Sequence, residues 1–193
     1  MTTAASTAAI RELVARNPGQ ATVEEYQIVH ETVVSRRPCN LLVFGAGRDS
    51  SLWIAANAGG PTVFLEDAPA WAESVRKDIP GITIHTVRYP TLRVFWPLLR
   101  HAPSLLRMRD LPPAVSNGRW DVILVDAPRG TRWYRSGRMM SIYTASRLAR
   151  EGQKCDVFVH DTHRTVEREC CDEFFGPKLF VAQAGTMRHY RVG

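Results

Sequence analysis

Acidic and imidazole side chains follow two apolar runs in the second half of the chain. They are Asp126, which follows the run Val122 to Val125, and His160, Asp161 and His163, which follow the run Val157 to Val159. If both runs are parallel strands, their carboxyl ends lie at the edge where open α/β sheets bind ligands. Such a group suits either a divalent cation, held by Asp126 and Asp161, or an acid-base pair in which His160 or His163 accepts a proton. We predict these four residues as catalytic; a loop-capping aspartate and hydrogen-bonded structural histidines are the plainer alternatives.

A glycine-containing turn follows an earlier apolar run, in the stretch Val43 to Ser50. Gly45 and Gly47 allow the backbone to turn sharply and to approach a ligand without a Cβ collision, and Asp49 or Ser50 can cap the helix that follows. Enzymes that bind NAD, FAD or S-adenosylmethionine (SAM) share such a turn. Because Ser50 stands where the dinucleotide pattern has a third glycine, the pattern disfavours a dinucleotide without excluding it.

A second nucleoside-binding feature is Glu66, which ends the next apolar run about 20 residues after the turn. A carboxylate at this place can accept hydrogen bonds from both ribose hydroxyls. Asp67 beside it is a further candidate that could instead face solvent, and a plain acid at a helix N-terminus is the alternative for Glu66. The predicted cofactor-binding residues are therefore Gly45, Ala46, Gly47, Asp49, Ser50, Glu66, Asp67 and Asp126.

An alternating α/β chain would position these motifs. Five apolar runs are predicted as buried parallel strands, namely Leu41 to Phe44, Thr62 to Leu65, Ile82 to Val87, Val122 to Val125 and Val157 to Val159. The predicted helices are Ser50 to Ala58, Pro69 to Lys77, Met139 to Arg150 and Thr165 to Phe174. This alternation predicts a doubly wound, mostly parallel sheet with right-handed crossovers. Two further runs, Lys178 to Ala182 and Met187 to Val192 around a turn at Ala184-Gly185, predict a C-terminal antiparallel hairpin, which is usual in SAM methyltransferases and unusual in dehydrogenases.

Two segments fall outside the alternation. Residues 1–37 are predicted as a helical preface, interrupted at Asn17-Pro18-Gly19, and residues 38–193 as the nucleoside-binding domain, with one domain overall. The segment Tyr89 to Pro113 carries prolines, arginines and bulky apolar groups, and it is predicted as an irregular or short-helical insert. This insert either forms a lid or acceptor wall, or it covers one side of the core.

Composition limits the class of protein. At 193 residues, with 45% hydrophobic and 23% charged residues, the chain fits one globular domain. Four cysteines without CxxC spacing, the lack of a signal sequence and the lack of an apolar run of about 20 residues predict a reduced, cytoplasmic protein without a membrane segment. The net charge of +6 comes from scattered arginines, which suit an anionic small substrate or sugar acid as well as nucleic acid, so a nucleic-acid partner is not favoured. The sequence leaves open whether the chain forms a homodimer.

Several separated motifs occur in the order found in the plant glucuronoxylan 4-O-methyltransferase and irregular-xylem family. They are Val43 to Ser50, Phe64-Leu65-Glu66-Asp67, Val125-Asp126-Ala127-Pro128, Gly137-Arg138-Met139 with Ile142-Tyr143-Thr144-Ala145, Asp156 to Asp161 followed by Arg164, and Arg188-His189. The chain resembles this family over residues 38–192. The resemblance implies a Rossmann-like class I SAM methyltransferase fold, methylation of the 4-hydroxyl of a glucuronic acid residue, and help from a divalent metal. It also implies that SAM contacts Gly45, Gly47 and Glu66, and that the site is lined by Asp126, Arg138, His160, Asp161 and Arg164.

The resemblance also gives the positive charge a use, because Arg138, Arg164 or Arg188 can bind a uronate carboxylate through paired hydrogen bonds. Plant members of the family begin with a Golgi membrane anchor and carry cysteines in their middle insert, and this sequence has neither feature. We therefore expect a compact, soluble relative whose acceptor is a small uronic acid, a sugar conjugate or a different polar metabolite.

The predicted function is SAM-dependent O-methyl transfer to a hydroxyl of a glucuronic-acid-like or other small polar acceptor. Three alternatives remain at this point. An enzyme that cleaves or cyclises SAM without an external acceptor would use the same pocket, an RNA-binding protein or RNA methyltransferase would use the arginines, and an NAD(P)-dependent oxidoreductase would use the glycine turn.

Overall fold

Seven strands form one sheet in the computed structural model, which describes residues 3–130, 132–152 and 154–193. The strands are β1 (Leu41–Phe44), β2 (Thr62–Glu66), β3 (Thr83–Thr86), β4 (Val122–Val125), β5 (Cys155–Val159), β6 (Phe180–Ala184) and β7 (Met187–Val192). Their order across the sheet is β3-β2-β1-β4-β5-β7-β6. Strands β1 to β5 are parallel, whereas β7 runs antiparallel to both β5 and β6. The predicted parallel sheet with a C-terminal antiparallel hairpin is confirmed.

Eight α-helices accompany this sheet within the described residues. They are α1 (Thr3–Arg16), α2 (Val23–Arg36), α3 (Ser50–Ala56), α4 (Pro69–Asp78), α5 (Trp96–Leu99), α6 (Pro113–Ser116), α7 (Met139–Glu151) and α8 (Thr165–Phe174). Helices α3, α4, α7 and α8 correspond to the four predicted ones, with ends that differ by up to two residues. None of the described helices is long and apolar enough to cross a membrane.

The central strands are buried on both faces because their residues alternate between two hydrophobic layers. In β1, Leu42 and Phe44 belong to the layer that α7, α8 and the insert complete. Leu41 and Val43 belong to the opposite layer, which is completed by α2, α3 and α4. Burial on both faces removes the polar-out positions of a half-exposed sheet, which explains why these runs are continuously apolar.

The predicted helical preface consists of α1 and α2, separated by a break that contains Pro18. Helix α2 begins with a capping box, in which the Thr22 side chain accepts from the Glu25 amide while the Glu25 carboxylate accepts from the Thr22 amide. Val29 and Val33 of α2 are fully buried in the layer that also contains α3. The preface therefore packs on the same side of the sheet as the helix that follows the glycine turn.

The C-terminal hairpin begins later than predicted. The start of the predicted strand Lys178 to Ala182 is wrong, because Pro177–Leu179 form a 3₁₀ turn and β6 runs from Phe180 to Ala184. Proline has no N–H to donate to a strand ladder, which favours the turn at this place. The predicted end at Ala182 and the turn at Ala184-Gly185 are shifted as well, because β6 includes Ala184 and the connection to β7 is made by Gly185 and Thr186.

The insert between β3 and β4 is short-helical, as predicted. It contains 3₁₀ turns at Arg93–Phe95 and Pro103–Leu106 in addition to α5 and α6. Trp96 is buried, and its indole N–H donates to the carboxylate of Glu169 on α8 at 2.7 Å. Phe95 beside it is 50% exposed. The insert therefore covers the core and also presents apolar surface to solvent.

Candidate active site

The carboxyl ends of the three central strands lie side by side, as the sequence predicted. Beyond the strands, the Gly45 amide donates to Leu65 O at 2.7 Å and the Asp126 amide donates to Phe44 O at 2.9 Å. The His160 amide likewise donates to Val125 O at 3.0 Å. These bonds continue the parallel ladder by one residue. The glycine turn, Asp126 and His160 are consequently neighbours at one edge of the sheet.

The glycine turn is held by bonds within its own loop. Gly45 has a φ of +110°, which an L side chain rarely adopts, and a Cβ at this place would also lie 3.1 Å from Cβ of Ala127. The fully buried Ser50 hydroxyl accepts from the Gly47 amide at 2.9 Å. Ser50 thus fixes the turn in the position where a dinucleotide pattern has glycine.

Asp49 occupies the cap position of α3 but does not cap it through its side chain. The predicted capping by Asp49 is wrong, since its carboxylate accepts from the Trp53 indole at 2.9 Å instead. Burial and the nearby charge of Asp126 raise the pKa of Asp49 to about 6.

Glu66 is 7% exposed at the end of β2. One of its oxygens accepts from the Ala46 amide at 3.0 Å, and the other accepts from the amides of Asp67 and Ala68 at 3.1 and 3.0 Å. Burial nevertheless raises the pKa of this carboxyl. An ionised carboxylate has about four acceptor sites, so three backbone bonds leave about one for a ribose hydroxyl rather than the two that the sequence suggested. Asp67, by contrast, is exposed.

Asp126 and His160 form a hydrogen-bonded pair. The Nδ1 atom of His160 lies 2.8 Å from Oδ1 of Asp126, and the Nη2 atom of Arg138 donates to the same oxygen at 2.8 Å. Burial acts to raise the pKa of Asp126, but Arg138 and the bond from His160 outweigh it, and the pKa is lowered. Burial acts to lower the pKa of His160, but the bond to Asp126 outweighs it, and the pKa is raised. The pair is therefore built to hold a proton on the imidazole.

Arg138 joins this pair to Asp161. Its Nη2 atom lies 2.6 Å from Oδ2 of Asp161, which also pairs with Arg164 at 2.8 Å. Asp161 has a φ of +63°, a left-handed conformation that costs a non-glycine residue of the order of 1–2 kcal/mol and that recurs at functional sites. Arg138 is only 4% exposed. Its Nε and Nη1 atoms have no hydrogen-bond partner within the described part of the chain.

Sequence reasoning missed two acids that complete the cluster. Glu25 of α2 is 2% exposed and accepts from the amide and hydroxyl of Thr186 at 2.6 and 2.7 Å, which ties the preface to the hairpin turn. Its Oε2 atom lies 3.6 Å from Nε2 of His160. Glu167 of α8 is fully buried, pairs with Arg93 of the insert at 3.0 Å and accepts from the Arg138 amide at 3.4 Å. The spacing of Thr22 and Glu25 is a capping-box pattern that could have shown where α2 begins, but no local pattern shows which strand end Glu25 faces.

A tyrosine of the preface was missed as well. Tyr26 is 5% exposed, and its ring lies 5.7 Å from that of Trp53. Burial raises its pKa, and the charges of Asp49 and Asp126 raise it further. Its hydroxyl therefore stays protonated, and its ring packs on α3, the helix that follows the glycine turn.

Two predicted residues lie outside the cluster. His163 is exposed, whereas the possible metal-ligating atoms of Asp126, His160 and Asp161 lie within 4.8 Å of one another. Arg188 donates to Asp172 of α8 at 2.8 Å, so its guanidinium is engaged away from Asp126. The catalytic role of His163 and the substrate role of Arg188 stay predictions that this geometry does not support.

The donor types at this edge suit a divalent cation. Two carboxylates and an imidazole are common ligands of first-row metals, and their donor atoms are close together. The guanidinium of Arg138, however, already supplies positive charge to both Asp126 and Asp161. A cation at this place would therefore share the two acids with Arg138 or compete with it for them.

Comparisons with solved structures agree on the fold. The chain superimposes with a TM-score of 0.52 on a methyltransferase-like protein from Silicibacter pomeroyi, at 17% identity and covering 90% of this chain and 87% of the other. A TehB-like SAM-dependent methyltransferase from Corynebacterium glutamicum also gives 0.52, at 11% identity and covering 99% and 98%. At these identities the likeness establishes the class I methyltransferase fold alone, as the sequence predicted.

Sequence comparisons identify the family. Glucuronoxylan 4-O-methyltransferase 2 of Arabidopsis thaliana is 37% identical over 191 residues, which cover 90% of this chain and 66% of the relative. Arabinogalactan O-methyltransferase 2 of the same plant is 36% identical, covering 90% of this chain and 67% of the relative. The chain thus spans about two thirds of the length of these relatives, and the IRX15/IRX15L/GXM family model matches residues 24–103 and 97–190. With the site at the strand ends and these matches, the chain belongs to the IRX15/IRX15L/GXM family.

Proposed function

We propose that this protein transfers the methyl group of SAM to a hydroxyl of an acidic saccharide, a uronate above all. The observation that carries this proposal is Arg138, a buried guanidinium beside the Asp126–His160 pair. Its Nε and Nη1 atoms lack a partner within the described residues. A buried donor without a partner costs about 1–3 kcal/mol, more when charged, so these atoms favour a further acceptor oxygen at this place. In this proposal a sugar carboxylate supplies that oxygen once the side chains that cover Arg138 move, while its neighbouring hydroxyl faces the base.

The cofactor part of the proposal rests on the glycine turn and on Glu66. At Gly45 and Gly47 the turn has no side chain to keep its backbone away from a ligand, and the buried Glu66 retains about one acceptor site for a ribose hydroxyl. Bound SAM would supply the activated methyl group. The protein then has to align the acceptor oxygen and remove its proton.

His160 is the proposed base. Asp126 lies at its Nδ1 atom, which leaves Nε2 free to accept the proton of the acceptor hydroxyl. Glu25, 3.6 Å from Nε2, stabilises the imidazolium that forms. Arg138 donates to Asp126 at 2.8 Å and thereby holds the carboxylate that orients the His160 ring. Below the raised pKa of His160 the imidazole is already protonated, so turnover should increase as the pH rises through that pKa.

A divalent cation is the finer part of the hypothesis. Asp126 and Asp161, with His160, would hold it, and it would lower the pKa of the acceptor hydroxyl. Because Arg138 pairs with one oxygen of Asp126 and one of Asp161, a cation that binds these carboxylates would compete with its positive charge. Turnover measured before and after chelation, with Mn²⁺ added back, decides whether the cation takes part.

The test of the proposed function is an incubation with SAM and a panel of acceptors, with S-adenosylhomocysteine and methylated products measured by mass spectrometry. We expect product with glucuronic-acid-bearing saccharides such as glucuronoxylan or arabinogalactan fragments, whose methylation is named in the relatives, and much less with neutral ones. Methylthioadenosine without any acceptor would favour SAM cleavage, methylated RNA would favour an RNA methyltransferase, and calorimetric binding of NAD in place of SAM would favour an oxidoreductase.

A further inference from the structure

An exposed loop between β4 and α7 carries aromatic and arginine side chains outside the reaction centre. Trp133 is 70% exposed and Tyr134 is 43% exposed. The guanidinium carbons of Arg132 and Arg135 lie 6.0 and 5.7 Å from the centre of the Tyr134 ring. Phe95 of the insert, 50% exposed, directly follows Arg93 and Val94, whose amides donate to carbonyls of this loop. We refer to Phe95, Arg132, Trp133, Tyr134 and Arg135 together as the aromatic platform.

The backbone ties the two halves of the platform together. The Arg93 amide donates to Arg135 O at 2.9 Å, and the Val94 amide donates to Trp133 O at 3.3 Å. Trp133 and Tyr134 contact each other edge to face, with ring centres 5.5 Å apart. The backbone bonds fix the segment that carries the two rings, although both rings are exposed to solvent. Large aromatic side chains contribute most to stability when they are buried, so their exposure at this place indicates a binding surface.

Both ends of the loop begin in the reaction centre. The chain leaves β4 through Asp126 and returns at Arg138, and these two side chains are 2.8 Å apart. A Cβ on Gly130 would lie 2.7 Å from Cα of Gly137, so the two arms of the loop touch at its base. The tip, which carries Arg132 to Arg135, is therefore connected to the site through both arms of the loop.

The chemistry of the platform fits a sugar chain with acidic groups. Aromatic rings offer flat apolar faces to the C–H faces of pyranose rings, and arginines offer paired donors to carboxylates. A single sugar at Arg138 would leave the platform uncovered, whereas a chain of several sugars would extend across it.

We propose that the aromatic platform binds the sugars that flank the methylated residue, so that the enzyme prefers an acidic oligosaccharide to a single uronate. This inference rests on the proposed function, because it takes the acceptor to be a saccharide. It makes Trp133 and Tyr134 specificity-determining residues that act on acceptor binding and leave SAM binding unchanged.

The test compares two acceptors in the wild type and in Trp133→Ala: a xylo-oligosaccharide bearing one glucuronate, and methyl glucuronoside. We expect KM for the oligosaccharide to rise about tenfold in the variant, a ratio that corresponds to the loss of one aromatic contact, with kcat and the Kd for SAM unchanged. The KM for methyl glucuronoside should not change. Phe180→Ala is the matched control, since Phe180 is an aromatic residue of β6 that is 44% exposed.

An equal loss with both acceptors, a weaker Kd for SAM, or the same effect in Phe180→Ala would overturn the proposal. If the wild type methylates neither acceptor, the proposed function fails separately. In that case, calorimetric titration of the oligosaccharide into the wild type and into Trp133→Ala still tests whether the platform binds sugars. Binding that is weaker in Trp133→Ala than in the wild type supports the platform, and absent or equal binding refutes it.

Discussion

The substitution Asp126→Asn tests the proposed base most directly. Asparagine keeps the shape of the side chain but removes the charge that Oδ1 presents to His160 Nδ1 and Arg138 Nη2, both at 2.8 Å. A well-placed general base contributes about 10²–10⁴-fold to rate, so we expect kcat to fall by at least about 10²-fold. Because Arg138 still pairs with Asp161 at 2.6 Å, the fold should be retained.

The pH profile separates positioning from titration in this variant. Asp126 raises the pKa of His160 above its ordinary 6.5, so wild-type kcat should increase with pH through an inflection above that value. Without the aspartate the inflection should move to lower pH, which increases the neutral fraction of His160 near pH 6. If Asp126 acted only by raising the pKa of His160, the variant would have a higher kcat than the wild type near pH 6. If Asp126 also orients the imidazole, the variant has a lower kcat at every pH.

The assay is S-adenosylhomocysteine release at saturating acceptor, with the SAM Kd and the melting temperature as checks on folding. Asp172→Asn is the matched control, since Asp172 also pairs with an arginine, Arg188, at 2.8 Å and lies outside the site. Normal turnover in Asp126→Asn, or an equal loss in the control, would refute the assignment of Asp126 and His160.

The remaining predictions concern the cofactor, the cation and the fold. Glu66→Ala should weaken calorimetric SAM binding by about 1–3 kcal/mol, because a buried acceptor is lost, whereas the exposed Glu73→Ala should not; equal affinities would remove Glu66 from the cofactor site. Arg138→Met should raise the KM for uronate acceptors. It should also strengthen Mn²⁺ binding about tenfold in a spectroscopic titration, because the guanidinium that competes for Asp126 and Asp161 is gone. An unchanged Mn²⁺ affinity would show that the cation does not bind at these two acids. Asp156→Ala should lower the free energy of unfolding by about 3–5 kcal/mol in denaturant melts, because it leaves Arg36 and His189 without their fully buried partner. The pKa of Asp156 is lowered despite burial, by His189 and Arg36, so its stabilising effect is present above the unfolded pKa of about 3.9 and is lost as the pH falls through the lower folded value; a stability that does not depend on pH in that range would contradict this.

The sequence by itself determined the sheet and the position of the strand-end motifs. Each motif could be recognised locally as a continuous apolar run followed by a glycine or a polar residue, namely Gly45, Glu66, Asp126 or His160. Burial on both faces makes a strand continuously apolar, and ligand-binding residues follow the ends of such strands. Parallel pairing then placed those residues together without any knowledge of side-chain contacts. The start of β6 was missed by two residues because Pro177 favours a turn within an apolar stretch.

Only the tertiary structure decided how the charges are paired. Glu25 lies 135 residues before His160 in the chain (160 − 25), yet the packing of α2 places its Oε2 atom 3.6 Å from Nε2 of His160. The same holds for Arg138, whose type suggested a substrate clamp but whose bonds to two acids depend on where α7 begins. His163 and Arg188 carry the right chemistry in sequence, yet the first is exposed and the second is paired with Asp172. These ion pairs join segments that are far apart in the chain and require their atoms to lie within a few ångströms. The local periodicity of a sequence does not predict such distances between distant segments.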